Sequence, residues 1–112
     1  AYTEGEREWI SLAVTEATRR AELERGRVLV DFYAQWCGPC KAFAPTFEAL
    51  AERYGGRTEF CRVDVDAAPE LARAFQIMSV PTLVLLEDGA VKTRLSGAKS
   101  EEELIRLFAL EE

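Results

Sequence analysis

Between Gly26 and Asp66 the hydrophobic pattern changes period twice, which leaves few folds open to the chain. Val28 to Tyr33 (VLVDFY) is an apolar run of β-formers broken by one carboxylate, and it follows Gly26, a residue that stops helices. From Lys41 to Tyr54 the period becomes helical, with Phe43, Phe47, Leu50 and Tyr54 on one stripe. Pro45 inside that stripe predicts a kink, and Gly55-Gly56 predicts the end. Thr58 to Val65 (TEFCRVDV) reads as a strand again. Strand, helix and strand at these lengths predict a right-handed crossover that lays two strands parallel.

The remaining chain adds a second helix, a hairpin and a last helix. Pro69 opens a short helix with Leu71 and Phe75 on one face. Thr82 to Leu86 and Val91 to Leu95 flank Asp88-Gly89, a strong signal for a two-residue hairpin turn. Ser100 with Glu103 forms a capping box, followed by a stripe of Leu104, Leu107 and Phe108. The order from Val28 is therefore β-α-β-α-β-β-α, an α/β domain with a mixed sheet. The first 27 residues allow two readings. Trp9 to Val14 is an edge strand with Thr15 capping a helix to Arg25, or one longer helix starts near Glu6. With 112 residues, 48% of them hydrophobic, the chain is expected to fold as a single domain over 1–112.

A net charge of −6 without a basic run argues against nucleic acid or an anionic membrane as partner. Apolar runs such as Leu83-Val84-Leu85-Leu86 have strand length and fall far short of a membrane span. No signal-like apolar segment is recognisable, so the expected location is cytoplasmic, or periplasmic or otherwise extracytoplasmic if a signal preceded Ala1. There is no histidine, so proton traffic falls to thiols, carboxylates and water.

The three cysteines are too few and too oddly numbered for a stabilising framework. Cys37 and Cys40 would close a very small loop, which does little for chain entropy, so chemistry explains them better than stability. The motif Trp36-Cys37-Gly38-Pro39-Cys40-Lys41 follows a strand and enters a helix. Unpaired N–H groups and the positive dipole end there favour an anion, so Cys37 at the tip and next to water is expected as the thiolate. Cys40, one turn in, is expected to be shielded and to resolve a mixed disulfide on Cys37. Zinc would need a second ligand pair, and only Cys61 remains, so no metal is expected.

Asp31 lies between Val30 and Phe32, either at a strand edge facing water or buried. Its apolar flanks, the strand's direction toward the CxxC pair and the lack of histidine favour a buried acid–base group. Pro81 alone is an ordinary first residue of a strand, and most such bonds are trans. Cys61 reads as a small core residue.

Together, WCGPCK, Asp31-Phe32, Ala44-Pro45, Val80-Pro81-Thr82, Asp88-Gly89 and Gly97-Ala98 resemble the thioredoxin family in that order, from about Val28 through Leu110. The resemblance implies the thioredoxin fold, a central mixed five-stranded sheet flanked by four helices, with a strand at Trp9-Ile10-Ser11-Leu12. It matches Cys37 to the attacking thiol, Cys40 to the resolving thiol and Asp31 to the buried acid. It makes Val80-Pro81 a cis-proline loop that offers backbone hydrogen bonds to a bound peptide. Trp36, Gly38, Pro39, Val65, Val80, Pro81, Gly97 and Ala98 would form the apolar docking patch.

Three positions depart from the family's pattern: Arg62 for a lysine near the acid, Tyr33 for a tryptophan, and Ser96 for an apolar residue. Arg62 stays charged, so it modulates Asp31 without exchanging a proton with it. By resemblance, the Gly-Pro spacer implies a reductant of protein disulfides, and the protein is expected to be a monomer. It would bind no cofactor and draw electrons from NADPH through thioredoxin reductase. The alternatives are an extracytoplasmic thiol-transfer domain and a binding subunit with incidental thiols.

Overall fold

The structure, a computed structural model, describes residues 26–111. Strands β1 (Arg27–Tyr33), β2 (Glu59–Asp64), β3 (Thr82–Glu87) and β4 (Ala90–Ser96) form one sheet in the order β2-β1-β3-β4. Helices α1 (Gly38–Tyr54), α2 (Pro69–Ala74) and α3 (Glu101–Leu107) flank it. β1 runs parallel to β2 and antiparallel to β3, and β3 runs antiparallel to β4. This is the thioredoxin fold; the fifth strand and fourth helix implied by the resemblance fall on residues 1–25, outside the described residues, as do both N-terminal readings.

Alternation along β1 sorts the core into two layers. Leu29 packs with Phe43, Phe47, Phe60, Leu104 and Phe108 on the face of α1 and α3. Val28, Val30 and Phe32 pack with Val63, Leu71 and Val84 on the face of α2. Phe47 meets Phe60 edge-on at a centroid distance of 5.4 Å. Asp31 follows Leu29 on the α1 face, whereas Cys61, one residue before Arg62, joins the α2-side core.

Several boundaries and exposures differ from the sequence reading. α1 begins at Gly38, three residues before Lys41, because Cys37 caps it and Pro39 suits its first turn. It continues through Pro45 to Tyr54 as one helix. β2 is shorter at both ends than Thr58 to Val65, while β3 extends through Glu87 and β4 spans Ala90–Ser96. Leu107 is 42% exposed instead of packing; Leu104, Phe108 and Leu110 fill that part of the core. A left-handed turn at Ala109 (φ 51°) lets the chain deliver Leu110 there. The hairpin forms as expected, and positive φ at both Asp88 (48°) and Gly89 (86°) makes its turn type I′.

Candidate active site

β1 ends at Tyr33 and the chain turns through Ala34-Gln35-Trp36 into α1. The turn is closed by the Cys37 N–H, which donates to the Ala34 carbonyl at 3.2 Å. Cys37 is the N-cap of α1 in an extended conformation, and its Sγ accepts the Cys40 backbone N–H at 3.1 Å. A sulfur held there faces the first-turn N–H groups and the positive end of a 17-residue helix. No acidic side chain lies in that first turn to compete with it.

Cys37 and Cys40 are joined as a disulfide with a Cα–Cα distance of 5.2 Å. Cys40 is completely buried and Cys37 is 5% exposed, so Cys37 is less open to water than the sequence reading expected. Ala34, half-buried Tyr33, Val65 and Val80 pack around the pair. The Val80 carbonyl oxygen lies 3.8 Å from Sγ of Cys37. The Val80–Pro81 bond is cis, as the resemblance implied and the residue-level reading did not.

The other residues expected in the docking patch differ in exposure. Trp36 is 71% exposed, and its indole N–H donates to Oδ2 of Asp66 at 2.8 Å. Gly38, Pro39 and Ala98 are exposed, Val65, Val80 and Gly97 half-buried, and Pro81 buried. The Gly97 N–H donates to the Pro81 carbonyl at 2.8 Å, tying the end of β4 to the proline loop, and Ser96 beside it is exposed.

Asp31 is fully buried in the central strand, flanked by β2 and β3, so the edge reading does not hold. Arg62, its register partner on β2, donates Nε–H to Oδ2 at 3.2 Å. The Arg62 guanidinium also lies 3.9 Å from the centroid of the Tyr33 ring. Two family departures thus meet in one place. An aromatic face and a carboxylate hold the arginine between them.

Sequence reasoning missed a second layer of polar support. The Gln35 side-chain amide donates to Oδ2 of Asp64 at 3.1 Å, and Oδ1 of Asp64 accepts the Asp66 N–H at 2.9 Å. Asp66 in turn holds Trp36. These partners lie about 30 positions apart and belong to no local motif. The one available signal was the unmet donor of an exposed tryptophan. Cys61 stands on the opposite face of the sheet from Arg62, which separates it from the Cys37–Cys40 pair.

Two cysteines closing a disulfide at a capped helix start, directly after the central strand of a mixed sheet, define a thiol–disulfide exchange centre. Comparisons with known proteins agree. The thioredoxin family model matches residues 11–109. A thioredoxin of Staphylococcus aureus is 42% identical over 95 residues, covering 85% of this chain and 91% of the relative. A bifunctional thioredoxin reductase/thioredoxin of Mycobacterium leprae is 39% identical over 108 residues, which are 95% of this chain but 24% of that protein. The crystal structure of the germline-specific thioredoxin Deadhead from Drosophila melanogaster superposes with a TM-score of 0.73 at 32% identity, covering 83% of this chain and 88% of that one. The chain belongs to the thioredoxin family and is a thiol–disulfide oxidoreductase whose redox-active pair is Cys37–Cys40. Chemistry of this kind runs on the protein's own thiols and needs no bound cofactor.

Proposed function

We propose that the protein is a dithiol reductant of protein disulfides, in which Cys37 attacks, Cys40 resolves and Asp31 assists the resolving thiol. The observation that carries this reading is the asymmetry of the pair: the Cys37 sulfur sits in the helix cap, bonded by the Cys40 N–H, while Cys40 is sealed. The Cys37 thiolate displaces one sulfur of the substrate disulfide as a thiolate and forms a mixed disulfide. Cys40, giving its proton to Asp31 or to water that Asp31 orients, then attacks Sγ of Cys37 and releases the second substrate sulfur. Two electrons pass to the substrate, and the protein is left with its 37–40 disulfide.

Arg62 lies against Asp31 through its Nε–H and fixes the orientation of that carboxyl beneath the pair. Trp36, Gly38, Pro39, Val65, Val80, Pro81, Gly97 and Ala98 are the surface that receives the partner, with the Val80 backbone beside the reacting sulfur. Thioredoxin reductase, fed by NADPH, restores the dithiol; the reductase fused to a thioredoxin in the Mycobacterium leprae relative supports that pairing. We further propose a single domain over residues 1–112, acting as a monomer in the cytoplasm, a compartment that keeps dithiols reduced.

Insulin disulfide reduction driven by NADPH and a thioredoxin reductase tests the reading. Wild type should turn over and Cys37→Ser should not; failure of wild type with a reductase that reduces it would overturn the assignment. Asp31→Asn should slow the reaction about tenfold at neutral pH, a proton-transfer effect. An unchanged rate would make Asp31 structural only.

A further inference from the structure

The segment from α2 to β3 carries Val80 to the disulfide, and its geometry starts with an unfavourable residue. α2 ends at Ala74, Phe75 caps it, and Gln76 then takes φ 54°, a left-handed conformation that side chains other than glycine seldom adopt. Four residues later the Val80 carbonyl lies 3.8 Å from Sγ of Cys37. Gln76 is thus one of two places at which the path of the chain to Val80 is set.

Arg94 holds it. This residue sits on edge strand β4, paired in register with Val84, which belongs to the α2-side core. Its guanidinium reaches across that face and donates from one terminal nitrogen to the Phe75 carbonyl and from the other to the Gln76 carbonyl. Both acceptors lie at the negative end of α2, where a cation is favoured. The planar fork of arginine satisfies two carbonyls together, which a lysine ammonium on a flexible stem does not reproduce.

The far end of the segment is pinned separately. Thr82 Oγ1 donates to the Ser79 carbonyl at 2.6 Å, and the Gly97 N–H to the Pro81 carbonyl. Between the two anchors, Ile77 packs against the α2-side core and Met78 is 92% exposed. The proline loop is thus suspended between a clamp from the middle of β4 and a clamp from its end.

We propose that Arg94 is a positioning residue for partner docking: by clamping Phe75 and Gln76 it fixes Met78 and Val80 in the arrangement a disulfide-containing protein binds. The inference rests on the reading that the Val80 segment receives the partner. Without the clamp the docking arrangement becomes one of several, and apparent affinity falls by the fraction of molecules that keep it.

Single-turnover reduction of insulin by pre-reduced protein, without any reductase, tests this through the insulin concentration giving half the limiting rate. Arg94→Ala should raise that concentration about fivefold, leaving the limiting rate and the iodoacetamide alkylation rate of Cys37 unchanged. Arg94→Lys, which keeps the charge and one contact, should fall between, and it carries the test if Arg94→Ala does not fold. An unchanged half-rate concentration overturns the inference. So does a rise accompanied by an equal fall in alkylation rate, which would report general loss of structure. If wild-type protein reduces no insulin, the proposed function itself fails, and that result is distinct from either.

Discussion

α1 and α3 both start at a residue whose side chain accepts a backbone N–H from three positions on. In α1 Cys37 accepts from Cys40 at 3.1 Å, and in α3 Ser100 accepts from Glu103 at 3.2 Å. Beyond the cap the two first turns diverge. α3 carries Glu101, Glu102 and Glu103, and the Glu103 carboxylate reaches back to the Ser100 N–H to complete a capping box. α1 carries Gly38, Pro39 and Cys40, with no acid at all. The positive end of α3 is met by fixed carboxylates and contributes to stability. The positive end of α1 is left for a charge that appears only when Cys37 loses its proton or a substrate. One piece of backbone physics serves the fold in one place and the reaction in the other.

Cys37→Ser separates those two uses most sharply. Serine is a good N-cap, so α1 should form and the melting temperature should stay within a few degrees of wild type. Disulfide exchange should drop by more than about a thousandfold, because a hydroxyl replaces the nucleophilic thiolate. Cys40→Ser should retain attack but not resolution, leaving a stable mixed disulfide that mass spectrometry detects. A Cys37→Ser protein that unfolds would mean the sulfur is as much a structural cap as a reactive group.

Ser100→Ala makes the converse change. Loss of an N-cap costs about 1 kcal/mol, which lowers the melting temperature of a domain this size by about 4–8 °C. Exchange kinetics at a temperature where the protein is folded should not move. A change in rate would couple α3 to the site, and the division of labour between the two helix starts would fall.

Much of this contrast was legible in the sequence because it is local. The Ser100/Glu103 pair, the CxxC spacing and the Asp88-Gly89 turn each act within a few residues, where spacing alone determines which groups can meet. Apolar periodicity alone started α1 at Lys41, since Gly38 and Pro39 contribute no stripe, whereas the chemistry of the CxxC motif already set Cys37 at the helix tip, where the structure has it. Leu107 followed the helical period but fell on its flank, because the turn at Ala109 brings Leu110 into the space instead. The Trp36–Asp66, Gln35–Asp64 and Arg94–Gln76 contacts join side chains to partners 18 to 30 positions away. Only the sheet order brings those groups together. The Asp31–Arg62 pair was anticipated by resemblance, yet its third member, Tyr33 under the guanidinium, required the register of β1 against β2.

Lys41→Glu gives α1 the acidic first-turn neighbourhood of α3. Lys41 is exposed one residue past Cys40, so the change replaces a positive charge near the cap with a negative one without touching the core. Dipole and charge effects at such sites are worth about 0.3–1 kcal/mol. Alkylation of Cys37 by iodoacetamide at neutral pH should slow about two- to fivefold, with its pH profile displaced upward. Raising the salt concentration should shrink the difference. If the rate is unaffected, the absence of acids at this helix start is not what readies Cys37.

Glu103 supplies the smallest and most specific contrast, because the contacts that shift its titration most are those of the α3 cap. The Ser100 backbone N–H, and then the Ser100 hydroxyl, hold its carboxyl below the ordinary glutamate value of 4.5. A depressed folded-state value means the charged form is favoured in the folded protein. The resulting stability is fully present above pH 4.5 and is lost as pH falls through the lowered value. Glu103→Gln keeps a side chain able to reach the Ser100 N–H but cannot titrate. Urea midpoints of the two proteins should differ slightly at pH 7, wild type being the more stable, and converge as the pH is lowered past the carboxyl's titration. A gap that persists in acid would mean the glutamate acts through its shape and hydrogen bond. In that case its charge at the start of α3 would not be what sets this helix apart from α1.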